Sequence, residues 1–251
     1  MMKDGGRRIA TASGAILVDA QRLGSFLDAG EALFDPRFWE ARGELAAAAS
    51  GRGAAWFIGS SSPGWVLRHY RRGGYAARLS GDRYAWLGEP RVRAFAEFRL
   101  LASLETGGLP VPGPVGARYR RSGLTYRCDL ITQRLDAQPL SARLAAGTLS
   151  GAAWQAVGAA IGRLHRAGLD HADLNAHNIL IGADGSVRVI DLDRGRLRTP
   201  GAWSARNLAR LQRSVAKVAR DLPAARRSAK DWDSLLSGYE AGMARPSGRQ
   251  P

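Results

Sequence analysis

Asp173, Asn178 and Asp191 stand in HADLNAHNIL (residues 171–180) and VIDLD (residues 189–193), the last two lying five and eighteen residues after the first. Phosphoryl transfer from a nucleoside triphosphate asks for such a set. One carboxylate receives the acceptor hydroxyl's proton, while an amide and a second carboxylate hold magnesium on the phosphates. Asp173 is the candidate base, and Asn178 and Asp191 are the candidate metal ligands. A lone aspartate more often caps a helix or a turn, but that does not account for three residues at these intervals. Asn175 is placed to orient Asp173 or the transferred phosphate, and His171 to hold the loop's backbone. The chemistry predicted is ATP-dependent phosphorylation with magnesium.

Such side chains need elements to position them. Short strands are expected over 179–181 and 187–190, around Ala183-Asp184-Gly185. Asp-Gly between two apolar runs is a strong hairpin signal, and it sets Asn178 and Asp191 at adjacent ends. A helix over 151–167 precedes the loop, with Trp154, Val157, Ile161 and Leu164 on one face and Gly168 as its stop. Helices are also expected over 203–220 and 232–243, followed by a disordered tail. Upstream, residues 54–58 and 65–70 read as strands around a Ser-rich turn at 60–64, and 71–90 as a polar excursion. A helix over 91–105 carries Phe95, Phe98, Leu101 and Leu104. Residues 107–119 hold three prolines and are expected to link two lobes. A strand over 126–135 then leads to a hinge, and residues 1–30, with weak periodicity, are expected to be partly ordered. The lobes divide as 1–135 and 136–251.

A kinase also needs a cation on the α and β phosphates, steadied by a helix carboxylate. Arg68 in VLRHY stands where a strand would supply lysine, and Glu97 in AFAEFRLL is its expected partner. Arginine there is not a neutral exchange, because its guanidinium is bulkier and forked. Gly51 and Gly53 in GRGAAW are the candidate phosphate-covering loop, with Trp56 in place of a third glycine.

The chain has 251 residues, 45% of them apolar, enough for one domain or two lobes. Its single cysteine, Cys128, excludes an intrachain disulfide. The apolar run near the start stops at Asp19, so no signal peptide is expected. No run approaches the ~18 apolar residues of a spanning helix. The expectation is a cytosolic chain with peripheral membrane contact at most. Lysine and arginine number 37 against 22 acidic residues, a net charge of +15, and lysine occurs only at Lys3, Lys217 and Lys230. Such a surface attracts polyanions. Arg206, Arg210, Arg213, Lys217 and Arg220 recur at steps of four, three, four and three, a basic helical stripe. No aromatic-basic stacking pattern of the single-strand-binding kind is present, so no nucleic acid partner is expected.

VLRHYRRGG, RAFAEFRLL, GLDHADLNAHNIL and VIDLDRGRLR resemble the bacterial 3-deoxy-D-manno-octulosonic acid (Kdo) kinases, over residues 30 to 240. These are related to the heptose kinases of lipopolysaccharide core assembly. The resemblance implies an α+β, bilobal protein-kinase-like fold, with a small antiparallel-sheet N-lobe and a mainly helical C-lobe. It implies ATP- and Mg2+-dependent phosphorylation of the Kdo 4-hydroxyl on Kdo–lipid A, at the cytoplasmic face of the inner membrane. Asp173 would be the base, Asn178 and Asp191 the metal ligands, and Arg68 with Glu97 the phosphate-side pair. Leu192-Asp193 replaces the Phe-Gly of protein kinases, and no Ala-Pro-Glu segment follows, which implies a constitutive small-molecule or glycolipid kinase. The acceptor would be polyanionic, so Arg71, Arg72, Arg194, Arg196, Arg206 and Arg210 are candidates for binding it or an anionic membrane surface. Another small-molecule kinase of similar fold, such as a heptose or aminoglycoside kinase, and a catalytically silent polyanion-binding protein stay open as alternatives.

Overall fold

The computed structural model describes residues 6–49, 55–59, 64–71, 81–220 and 229–244. The chain divides into two compact units, Met1–Ser103 with Pro112–Leu135, and Leu104–Val111 with Asp136–Pro251. The segment 104–111 thus belongs with the second unit rather than the first.

The first unit is built on an antiparallel sheet of β1 (Arg7–Thr11), β2 (Gly14–Val18), β3 (Leu45–Ala49), β4 (Ala55–Ile58), β5 (Trp65–His69), β6 (Tyr84–Ala85), β7 (Pro114–Ser122) and β8 (Thr125–Gln133). Their order is β1-β2-β7-β8-β5-β4-β3, with β6 also paired to β8. Short helices α1 (Ala20–Leu23) and α2 (Pro36–Glu40) and the 3-10 segment between them supply Leu23, Leu33, Phe34 and Trp39 to an apolar cluster on one sheet face. Trp39 is fully buried and its indole N–H donates to the Leu33 carbonyl at 2.9 Å. Fully burying such a side chain stabilises by roughly 2–3 kcal/mol. Strand alternation does the rest. Leu67 of β5 enters that cluster, so its neighbour Arg68 projects from the opposite face.

The hairpin expected around residues 60–64 is present as β4 paired with β5, Ile58 opposite Trp65. Helix α3 (Arg93–Thr106) follows the expected span closely, and Phe95 meets Tyr119 of β7 edge-on at 5.2 Å. One expectation needs correction. Residues 107–119 are not all linker, because β7 starts at Pro114 and runs nine residues. Proline is tolerated as the first residue of a strand, and a register shift between Pro114 and Gly116 absorbs the irregularity. Residues 7–18 form a regular hairpin, with Arg7 opposite Val18. Ala15 to Val18 are all buried, so β2 shows no alternation to read.

The second unit carries β9 (Ala137–Pro139), α4 (Leu140–Ala146), α5 (Gly151–Arg166), β10 (Leu169–Asp170), β11 (Ile179–Gly182), β12 (Val187–Val189), β13 (Arg196–Leu197), α6 (Trp203–Ala219) and α7 (Ala229–Met243). Ser150 caps α5 by accepting from the Ala153 N–H at 3.2 Å, and Gly168 turns the chain with φ +87°. Strands β12, β11 and β9 form one small sheet, and β10 pairs with β13. The hairpin predicted downstream of the loop is there, with Ile179 opposite Val189 and Ile181 opposite Val187.

Candidate active site

In the first unit, Arg68 and Glu97 meet. The Arg68 guanidinium donates to Glu97 Oε2 at 2.5 Å, and Glu97 is buried. Tyr70 joins them. Its hydroxyl donates to the same Glu97 oxygen and accepts from Arg68 Nη2 at 3.0 Å, and Arg68 lies 4.7 Å over the Tyr70 ring. Sequence reasoning missed Tyr70, although Arg68 and Tyr70, two apart on an extended chain, share a face. Gly51, Gly53 and Arg72 lie outside the described residues, and Arg71 is exposed.

In the second unit, the loop between β10 and β11 is tied to the end of β12. His171 is buried, and burial pushes its pKa below the usual histidine value. The neutral ring is fixed in one tautomer: Nε2 donates to the Ile190 carbonyl at 3.0 Å, and Nδ1 accepts from the Asp173 N–H at 3.2 Å. Asn178 Nδ2 donates to the Asp173 carbonyl at 3.1 Å, and Asn175 Nδ2 to the same oxygen at 2.9 Å. Asn175 Oδ1 in turn accepts from the His177 N–H at 2.9 Å and the Asn178 N–H at 3.3 Å. The Ile190 N–H donates to the Asn178 carbonyl at 2.9 Å. Asp191, the next residue, has φ +62°, the only positive φ outside glycine among the described residues. Aspartate tolerates that region better than most residues, and such outliers concentrate where a side chain must be re-aimed. Asn178 thus bonds the backbone of Asp173 through its side chain and that of Ile190, the residue before Asp191, through its own backbone.

Helix α6 anchors this loop from outside. Asn207 is buried; its carbonyl oxygen accepts from the His171 N–H at 2.9 Å, and its amide donates to Asp170 Oδ1 at 2.9 Å. Burial opposes the Asp170 carboxylate, but Asn207 and the Arg198 guanidinium at 2.9 Å hold its pKa below the usual range. The Ser214 hydroxyl accepts from the Ala176 N–H at 3.1 Å. Arg210, one of the stripe arginines, bonds Asp173 Oδ1 at 2.8 Å, with both side chains half exposed. Asn207 was not singled out from sequence. Its signal was a polar residue on the Trp203–Asn207–Leu211 stripe that α6 buries. Arg194, Arg196 and Arg206 are exposed.

Asn178 and Asp191 suit magnesium. Asn178's amide nitrogen serves the loop, so its oxygen is the atom it presents elsewhere. Magnesium takes hard oxygen donors and is commonly held by one or two protein carboxylates, with phosphates and water completing its shell. Among the described residues no group of three or more His, Cys, Asp or Glu gathers as a metal cage.

The sequence profile of the lipopolysaccharide kinase (Kdo/WaaP) family matches residues 36–239. The chain belongs to that family, and is a phosphotransferase with a hydroxyl acceptor. Among its relatives, a 3-deoxy-D-manno-octulosonic acid kinase of Stenotrophomonas maltophilia (strain K279a) is 45% identical over 228 residues, 90% of each chain. Proteins of the same name from Xanthomonas axonopodis pv. citri (strain 306) and Xylella fastidiosa (strain 9a5c) are 48% identical over 233 residues and 45% identical over 235, each covering 92% of both chains.

Proposed function

We propose that this chain is an ATP-dependent kinase that transfers the γ-phosphoryl group to the 4-hydroxyl of Kdo on Kdo–lipid A, in lipopolysaccharide inner-core biosynthesis. Its place of work in this reading is the cytoplasmic face of the bacterial inner membrane, and its fold the bilobal protein-kinase type. The observation that carries the proposal is the loop bonding that ties Asp173 to Asn178 and Asn178 to Ile190, the residue before Asp191, with Asp191 held in the left-handed region. Family membership and the names of the relatives support the substrate class.

Each residue has a role in this reading. Asn178 and Asp191 would hold magnesium, which when bound offsets charge on the nucleotide phosphates. Asp173 accepts the proton of the attacking hydroxyl. Arg210 occupies one of its oxygens and fixes its direction. His171 and Asn175 hold the loop's backbone so that these side chains need no reorganisation. Arg68, oriented by Glu97 and Tyr70, supplies the cation for nucleotide phosphates. Arg71, Arg72, Arg194, Arg196 and Arg206 are left for the anionic acceptor.

The test is ATP turnover with Kdo–lipid A against no acceptor, with the product's added phosphate read by mass spectrometry. Asp173→Ala is expected to lose about two to four orders of magnitude in kcat. Turnover within a few-fold of wild type would remove Asp173 as the base, and no acceptor-dependent turnover would remove the substrate.

A further inference from the structure

At one end of the first unit's sheet two leucines stand in water. Leu124 is 83% exposed and Leu87 64%, the highest values for large apolar side chains among the described residues. Single exposed leucines need no explanation, but these two lie on neighbouring backbone at one turn, where β6 runs out beside the start of β8. Strands β7 and β8 are joined by Gly123-Leu124, closed by the Ser122–Thr125 pair. Gly123 has φ +58° at the first central position, as in a type II′ turn. The tip is therefore a tight turn that projects Leu124 in a set direction. The Trp86 N–H donates to the Leu124 carbonyl at 2.9 Å, which ties the backbone just before Leu87 to this turn.

Arginines gather beside this turn. Arg83, Arg120, Arg121 and Arg127, with the hydroxyl residues Ser13 and Thr125, line a shallow groove of ≈ 180 Å³. Arg121 donates through Nε to the Gly123 carbonyl at 2.9 Å, and its guanidinium lies 5.0 Å over the Trp86 ring. Arg127 pairs with Asp82 at 2.7 Å, whereas Arg83, Arg120 and Arg121 meet no carboxylate among the described residues. The groove keeps an excess of cationic forks of the kind that grip phosphate oxygens.

We propose that this tip docks the protein on an anionic lipid surface, with the arginines on headgroup phosphates and Leu87 and Leu124 beneath them at the acyl boundary. The combination of chemistries favours lipid. A nucleic acid would engage the arginines but leave the leucines in water, and it would want free aromatic faces for stacking. The rings here are already packed, Trp86 against Tyr119 at 5.1 Å and against Tyr126 at 6.0 Å. This surface lies in the first unit and is separate from the Arg206–Arg220 stripe on α6. It needs neither nucleotide nor acceptor, so its test stands apart from that of the kinase activity.

The experiment is flotation of the full chain with vesicles of phosphatidylcholine alone or mixed with phosphatidylglycerol. Wild type is expected on the mixed vesicles, less so at high salt. A Leu87→Ser/Leu124→Ser variant, folded by circular dichroism because both positions are exposed, is expected to lose about tenfold or more in partitioning. Arg83→Ala/Arg120→Ala is expected to lose a similar factor, from on the order of 1 kcal/mol per basic side chain near an anionic leaflet. An Arg213→Ala/Lys217→Ala variant is expected to keep most of the binding. The proposal is overturned if the leucine variant floats like wild type, if only the α6 variant fails to float, or if an RNA oligomer strips wild type and leucine variant equally.

Discussion

His165 lies in the last turn of α5, where the helix dipole favours a cation by about 0.3–1 kcal/mol. It is nevertheless kept neutral. The ring is 3% exposed, edge-on to Trp203 at 5.2 Å and Tyr239 at 5.5 Å, with Nδ1 within 3.0 Å of the Tyr239 hydroxyl. Burial pushes its pKa down from 6.5 to about 4, so desolvation outweighs the dipole. The unfolded chain therefore binds this proton before the folded one does. Stability is full above pH 6.5 and falls as pH drops towards about 4, by up to roughly 3 kcal/mol. His69 works in the other direction. Its hydrogen bond to Asp129, at 2.6 Å, holds its pKa above 6.5 against burial, so its contribution is complete below 6.5 and is lost as pH rises through the folded value. Urea midpoints measured across this acid range should show the first slope, and His165→Asn should flatten it whatever its overall cost. An unchanged slope in that variant would assign the acid loss elsewhere. At this scale the candidate loop could be singled out because Asp173, Asn178 and Asp191 belong to one contiguous stretch with a hairpin inside it. Tyr70 and Asn207 were not, since what gives them meaning is a partner 27 and 36 residues away in the chain.

Helices α5 and α7 approach so closely that their glycines are structural necessities. A Cβ on Gly158 would overlap the Leu235 carbonyl oxygen, and one on Gly162 the Tyr239 carbonyl oxygen. In return, Gly238 faces Gln155 and Gly242 faces Ala159, again backbone to backbone. Alanine is the better helix former by about 1 kcal/mol, yet here the clash is with main chain that cannot swing aside. Gly158→Ala or Gly238→Ala should therefore destabilise by about 1–3 kcal/mol net, as overpacking does. Gly151→Ala, where an added Cβ meets only Ser234 Oγ at 3.7 Å, should be neutral or mildly stabilising. Chemical denaturation of the three variants checks this, and equal effects at Gly151 and Gly158 would discard the close-packing account. The elements most legible in sequence were amphipathic helices and the Asp-Gly hairpin, whose period or turn residues are local. Strand β7 was concealed by three prolines within 110–114, and β2 by being buried throughout, so that neither punctuation nor alternation marked them. The coarse fold class, helices together with an antiparallel sheet, followed correctly from the sequence all the same.

The whole chain sums these parts to a net charge of +15, and composition could announce that excess without saying which surface uses it. Placement on the fold separates the roles. Arg68 and Arg118 face the buried carboxylates Glu97 and Asp129, and Arg210 meets Asp173, while Arg83 and Arg120 stay in solvent. Among the described residues no helix is long and apolar enough to cross a membrane. The same separation of roles makes the response to nucleotide a property of the whole molecule. A ligand that binds only the folded state stabilises it by about 2.7 kcal/mol at a hundredfold excess over Kd. Magnesium with a non-hydrolysable ATP analogue should therefore raise Tm by several degrees, and chelating the cation should remove most of the gain. Asp191→Ala should abolish the magnesium-dependent part, because the carboxylate proposed to hold the ion is gone. Asp173→Ala should retain it, because a base for the acceptor hydroxyl contributes little to nucleotide binding, even though its turnover is lost. The reverse pattern, a retained shift in Asp191→Ala and a lost one in Asp173→Ala, would exchange the two roles. A shift indifferent to magnesium in wild type would take Asn178 and Asp191 out of metal binding altogether.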